Sequence, residues 1–190
     1  MYQAEHDPYC YPDSDVLKNR AGLIEAASLE AFETAMTFAR SEEPMPSGRF
    51  SARHYRRIHH HLFQDVYEWA GKYRTVRLTK GTSTFCYPEN IAGEMRRIFG
   101  WLKERHFLTG LPAPAFCAEA AHFLAELNAI HPFREGNGRS QLTLLAMLGD
   151  GAGHPIDLDQ LDPAQMLRAM ISSFNGDERP LARVIAQLVD

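Results

Sequence analysis

Nine consecutive residues, His131-Pro132-Phe133-Arg134-Glu135-Gly136-Asn137-Gly138-Arg139, put a base, a carboxylate, an amide between two glycines and a guanidinium into one short stretch. Each residue type suits phosphate chemistry. Gly136-Asn137-Gly138 can turn successive backbone N–H groups toward one point, and the N-terminus of a following helix adds its own unpaired donors. Glu135 can hold a Mg²⁺ that bridges phosphate oxygens. Arg139 can clamp a phosphate in a fork. His131 can take a proton from an attacking hydroxyl near neutral pH. Pro132 sets the backbone after His131, and Phe133 is the apolar anchor. Arg134 and Ser140, within and just after the stretch, count with the nucleotide-binding residues.

Helical patterns on both sides must carry this loop. Pro114 to Ile130 has a continuous apolar stripe with Phe116, Ala120, Phe123, Leu124 and Leu127, and its small residues predict a central, tightly packed helix. Asn128 stands three residues before His131, where it can orient the ring. After the loop a helix is expected over Arg139 to Leu148, ended by Gly149, Gly151 and Gly153. Upstream, capping and periodicity predict helices at Val16–Arg20, Leu23–Ala39, Ser51–Tyr67 and Pro88–Arg105. Downstream they predict Pro163–Phe174 and a last helix, capped by Asp177, to Val189. Tyr73–Leu78 and Thr82–Tyr87 alternate as strands about a Lys80-Gly81 turn and predict a β-hairpin, which needs the helices for support. Residues 1–13, rich in Tyr and Pro, read as an extended arm lying on the domain.

Composition narrows the function classes. The chain has 190 residues, fitting one domain, 1–190, with a sizeable core. A net charge of -4 gives no bulk attraction to nucleic acid or to an anionic membrane. No apolar run reaches transmembrane length, and the first residues lack a signal-peptide pattern. Cys10, Cys86 and Cys117 are odd in number and widely spaced, which predicts free thiols in a reducing, cytoplasmic setting; delivery into another cell stays open. His59-His60-His61 points three ways on a helix and cannot converge on one metal, so one is expected in the core. Trp69 and His122 read as structural. One carboxylate and one histidine in the loop are too few ligands for a metal-dependent hydrolase.

The loop resembles the signature of the Fic family, His-x-Phe-x-(Asp/Glu)-Gly-Asn-Gly-Arg-x-x-Arg, and matches it from His131 through Arg139. The opening Asp7-Pro8-Tyr9-x-Tyr11-Pro12 and the span from Ile58 to Gly71 are similar to the same family. The resemblance implies an all-α Fic fold, a helical bundle around a central helix-loop-helix, with one β-hairpin as a flap over residues 73–87 beside the active-site loop. It implies a protein adenylyltransferase that moves AMP from ATP, with Mg²⁺ on Glu135, to a hydroxyl side chain, with His131 as general base. The flap, through Thr79, Lys80, Thr84 and Phe85, would take the target protein as an added strand. Lys80 and Gly81 would lie near the nucleotide, with Phe85 as a clamp. Main-chain pairing of that kind binds without reading sequence.

Two features qualify the resemblance. The family pattern ends on a second Arg that holds the γ-phosphate, and here that position is Leu142. The chain then either still transfers AMP, or uses the nucleotide differently, or is a silent copy. The related Doc toxins lack that Arg and transfer the γ-phosphate, but carry Lys where this chain has Gly138. The family's inhibitory Ser/Thr-x-x-x-Glu-(Gly/Asn) pattern is missing at both ends, which implies a small antitoxin acting in trans, or none. A non-enzymatic nucleotide- or partner-binding module is the alternative of a different class.

Overall fold

The computed structural model describes residues 7–80 and 83–189. Gly81, assigned to the nucleotide site, and residues 1–6 of the arm lie outside them, as do the side chains of Lys80 and Ser83. The described chain is a bundle of α1 (Ala26–Ser41), α2 (Ala52–Phe63), α3 (Pro88–Glu104), α4 (Ala113–Ile130), α5 (Asn137–Ala152), α6 (Pro163–Phe174) and α7 (Arg179–Leu188), with a hairpin of β1 (Thr79–Lys80) and β2 (Ser83–Thr84). The all-α class with one small hairpin is as expected. Among the described residues, no helix is long and apolar enough to cross a membrane.

α4 is the axis. Phe116, Ala120, Phe123, Leu124, Leu127 and Ile130 are buried with Cys117, Ala121 and Ala125, so it is apolar around most of its circumference. A helix of that kind must be enclosed, and α3, α5, α6 and α7 enclose it. Local chemistry explains the ends of the others. Ser51 Oγ accepts the His54 N–H at 3.1 Å and starts α2. Asp162 Oδ1 accepts the N–H groups of Ala164 and Gln165, with Pro163 in the first turn of α6. Pro88 opens α3 in the same way.

The structure corrects several boundaries. Val16–Arg20 is not a helix: Cys10 and Leu17 form an antiparallel bridge, and Ser14 Oγ accepts the Val16 N–H in a local turn. Such a turn competes directly with helix formation. α2 ends at Phe63, short of Tyr67, because both Val66 and Tyr67 donate to the Phe63 carbonyl and the chain turns. α5 begins at Asn137 and continues through Gly149 and Gly151 to a left-handed cap at Gly153. Gly149 stays helical because the following chain packs onto it; a Cβ there would sit 2.5 Å from the His154 carbonyl oxygen. The strands shrink to two residues each, paired Thr79↔Thr84 and Lys80↔Ser83. Residues 73–76 alternate like a strand but are held by Arg74 against the end of α4, which removes them from the sheet.

Residues 7–13 lie on the domain as an arm. Tyr9 packs edge-on against Trp69, its hydroxyl accepting the Thr75 N–H at 3.1 Å. Arg134 Nε donates to Asp7 Oδ2 at 2.6 Å, with the two side chains 5% and 9% exposed. Removing one partner of a buried ion pair leaves the other charge unsatisfied, so Asp7→Ala is expected to cost roughly 3–5 kcal/mol. The urea midpoint of the variant against the parent measures it.

Candidate active site

The site lies where α4 stops inside the protein. His131 takes a left-handed conformation (φ 49°, ψ 63°) and ends the helix, its N–H still donating to Leu127. Its Nδ1 lies 3.3 Å from the Asn128 carbonyl oxygen. A proton on Nδ1 satisfies that contact and makes Nε2 the basic nitrogen. Asn128 therefore does orient the ring, through its main chain. The imidazole stacks on Phe85 of the flap at 4.0 Å, and Phe85 in turn meets Phe174 of α6 edge-on. Phe85, the residue expected as a clamp, is buried and forms a wall against the imidazole.

The loop between the helices is closed by Asn137. Its Oδ1 accepts the Phe133 N–H at 3.0 Å and its Nδ2 donates to the Phe133 carbonyl at 2.8 Å. Gly136, at φ 78°, caps α5 without a side-chain bond. A Cβ at Gly136 would lie 2.3 Å from the Phe63 ring, so only glycine fits. The first N–H groups of α5, from Asn137, Gly138 and Arg139, have no helical acceptor by the geometry of a helix start. Gly138 is exposed, with open space where a Cβ would be. An anion has room there against unpaired donors.

Several expected roles move. The Asn137 amide is committed to Phe133, leaving its backbone N–H for a ligand. The Gly136 N–H donates to Glu135 Oε1 at 3.0 Å rather than outward. Arg134, expected at the nucleotide, is buried in an ion pair with Asp7. Ser140 is fully buried, its Oγ without a partner among the described residues, and does not line the open side at Gly138. Thr79 pairs with Thr84 across the hairpin, and Lys80 pairs with Ser83.

Glu135 fits a cation. The residue is mostly buried, and desolvation pushes its pKa up, with the Gly136 N–H opposing and Glu33 adding like charge. Among the described residues Oε2 has no hydrogen-bond partner. A hard divalent ion with oxygen ligands would offset the cost of that charge. No cluster of three or more acidic, His or Cys residues occurs among the described residues, so the ion would need oxygens from the nucleotide and water as well.

Sequence reasoning missed a second tier. Arg139 donates to Glu33 and, at 3.2 Å, to Thr37 Oγ1, both on α1, with its guanidinium 4.7 Å over the Phe63 ring. Tyr67 donates to the other Glu33 oxygen. The i,i+4 spacing of Glu33 and Thr37 was the available signal. His59 is the buried histidine of the triplet: Nδ1 accepts the Gly71 N–H at 2.9 Å and Nε2 donates to the Glu135 carbonyl at 2.9 Å. It lies between Phe63 and Phe133, and burial drives its pKa down to about 3. It is a neutral strut under the loop. His122 contacts Glu178 and stays structural.

The motif lies within the match to one sequence family. The Fic/DOC family profile matches residues 49–148. This chain belongs to the Fic/DOC family. It is 48% identical over 189 residues, 99% of this chain and 98% of the other, to "Probable protein adenylyltransferase y4lH" of Sinorhizobium fredii. It is 38% identical over 97% of its length to protein adenylyltransferase VbhT of Bartonella schoenbuchensis, of which it covers 39%. The N-terminal Fic domain of a Bartonella quintana Bep effector, solved with bound ADP, superposes with a TM-score of 0.87 at 28% identity, over 96% of this chain and 94% of that one.

Two outcomes are expected from the Fic loop. Gly136→Ala should push the loop off Phe63 and weaken ATP binding by at least about tenfold, a loss of roughly 1.4 kcal/mol by calorimetry. The second concerns pH. His59 is neutral when folded down to about pH 3, whereas an unfolded histidine titrates near 6.5. Its contribution is full above the higher value and is lost as pH falls toward the lower one. Between about pH 6.5 and pH 5 the loss should be about 2 kcal/mol. Urea unfolding should show that slope in the parent and a shallower one in His59→Gln.

Proposed function

We propose that the site transfers AMP from ATP to a hydroxyl side chain of a target protein laid along the flap. The chain is a Fic-type nucleotidyltransferase, a protein adenylyltransferase like the relatives it matches over its whole length. The observation carrying the residue assignment is the placement of His131: its Nδ1 is turned to the Asn128 carbonyl and its ring is backed by Phe85.

The target hydroxyl oxygen attacks the α-phosphorus. The bond from that phosphorus to the bridging oxygen of the β-phosphate breaks, pyrophosphate leaves, and the hydroxyl proton passes to His131 Nε2. Positioning and charge stabilisation account for most of such a transfer. The N–H groups of Asn137, Gly138 and Arg139 meet phosphate oxygens at the positive end of α5. The Arg139 guanidinium, steadied by Glu33, Thr37 and Phe63, faces the same charge. Glu135 would hold Mg²⁺, which when bound would supply positive charge to offset that of the pyrophosphate. The edge formed by Thr79, Lys80 and Thr84 would bind the target by main-chain pairing and set its hydroxyl beside His131. The free thiols suit a reducing cytoplasm as the place of action, and a small antitoxin acting in trans, if there is one, would supply control.

One observation favours a second reading. Leu142 is half-buried against the core and offers no donor to a γ-phosphate, so the triphosphate could sit with its γ-phosphorus at the base and pass on that group instead. ATP labelled at the α- or γ-phosphate separates the two. We expect α-label on protein, lost by at least about 100-fold in His131→Ala with ATP affinity kept. Leu142→Arg should raise α-label transfer about tenfold by adding a fork on the γ-phosphate. Undiminished labelling by His131→Ala would remove the base assignment; γ-label alone would replace the reaction.

A further inference from the structure

A buried helix end must find a donor for each last carbonyl, and at α4 those donors can be named. The Leu127 carbonyl accepts the His131 N–H, and Asn128 accepts from the His131 ring. Ala129 accepts the Cys86 N–H from the flap at 3.1 Å. The next three all go to Arg74. Nη2 donates to Ile130 at 3.2 Å, Nε to His131 at 2.8 Å, and the backbone N–H to Pro132 at 2.9 Å. The rest of the guanidinium reaches the flap: Nη1 donates to Val76 at 2.6 Å and Nη2 to Cys86 at 2.6 Å.

Arg74 is 2% exposed, and among the described residues no carboxylate pairs with it. Every side-chain acceptor is a main-chain carbonyl. Burial draws its pKa down to about 10, a sign of what the site costs. A cation at a helix C-terminus is favoured by the helix dipole, but any buried cation would supply that. Only a planar fork reaches Val76, Cys86, Ile130 and His131 together. Cys86 is held from both sides, its N–H by α4 and its carbonyl by Arg74, so the strand leaving the flap cannot move without moving the main chain of His131.

We propose that Arg74 is a positioning residue for the transfer reaction, fixing the distance between the strand-binding edge of the flap and the imidazole of His131. It touches neither nucleotide nor target. It holds His131 in the left-handed conformation and locks the flap to the same carbonyls, so a hydroxyl registered on the flap arrives at a base already in place. The α5 donors for phosphate lie outside this network, so ATP binding does not depend on it. The inference rests on the adenylyltransferase reading above.

Arg74→Lys keeps a cation but loses the fork, and Arg74→Gln loses both. With α-labelled ATP and a saturating target, Arg74→Lys is expected to lower kcat about 100-fold, as a small misplacement of a reacting group does, while the KM for ATP changes less than about threefold. NMR of the protein labelled with ¹⁵N-histidine should show His131 losing its Nδ1-protonated tautomer. Arg74→Gln should fall further; if it does not fold, Arg74→Lys decides alone. No transfer by the parent would overturn the reaction and the inference with it. Transfer by the parent matched by Arg74→Lys overturns the positioning role alone. So does a joint loss of kcat and ATP affinity, or failure of Arg74→Lys to fold, since both mark a purely structural cation.

Discussion

A helix that ends in the interior leaves carbonyl oxygens with no water to meet them, and the arrangement of this site follows from how those of α4 are satisfied. Continuing the helix would bury His131 in a regular turn. The chain instead goes left-handed at His131 and again at Gly136, and between those points it reverses and starts α5. The reversal brings the imidazole at the end of one helix to the open N-terminus of the next. The proposed base and the proposed phosphate donors are thus products of one turn. The clasp of Asn137 on Phe133, the strut of His59 under Glu135 and the bonds of Arg74 make that turn rigid, and a rigid turn can keep a base in line with a phosphorus.

Charge is distributed by the same logic. The protein carries a net charge of -4, yet the site gathers guanidinium groups with different partners. Arg134 is neutralised by Asp7 in a buried pair and serves the fold. Arg74 is buried among carbonyls. Arg139 is held by Glu33 but stays partly exposed, the guanidinium best placed for a charged ligand. Three arginines within reach of one loop therefore have three different surroundings, set by what each meets and not by residue type.

The loop was legible because its chemistry is local. Histidine, glutamate and the Gly-Asn-Gly run stand within nine residues, and glycine is required where φ is positive and Phe63 presses close. The helices of the core were legible from apolar spacing, and Pro88, Pro163 and Ser51 marked their starts by capping chemistry that acts within one turn. The hairpin was legible as a hairpin but not in extent. Residues 73–76 have strand alternation, and the pull of Arg74 toward α4 outweighs it. The same limit hid Glu33, Thr37 and His59, which are far from the loop in sequence and reach it only because α1 packs on α2 and α2 on α5.

The chain by itself therefore determined the kind of chemistry, the helical class and the family, because each depends on neighbours within a few positions or on periodicity along one element. Only the folded structure decided which arginine stays partly exposed, which histidine supports the loop, and that Asn137 and Ser140 look inward. Those choices depend on which donor and acceptor meet across elements. Contacts spanning 57 residues from Arg74 to His131, or 106 from Glu33 to Arg139, leave no pattern in the linear sequence. They arise when apolar packing brings the helices together and each buried polar atom must find a partner.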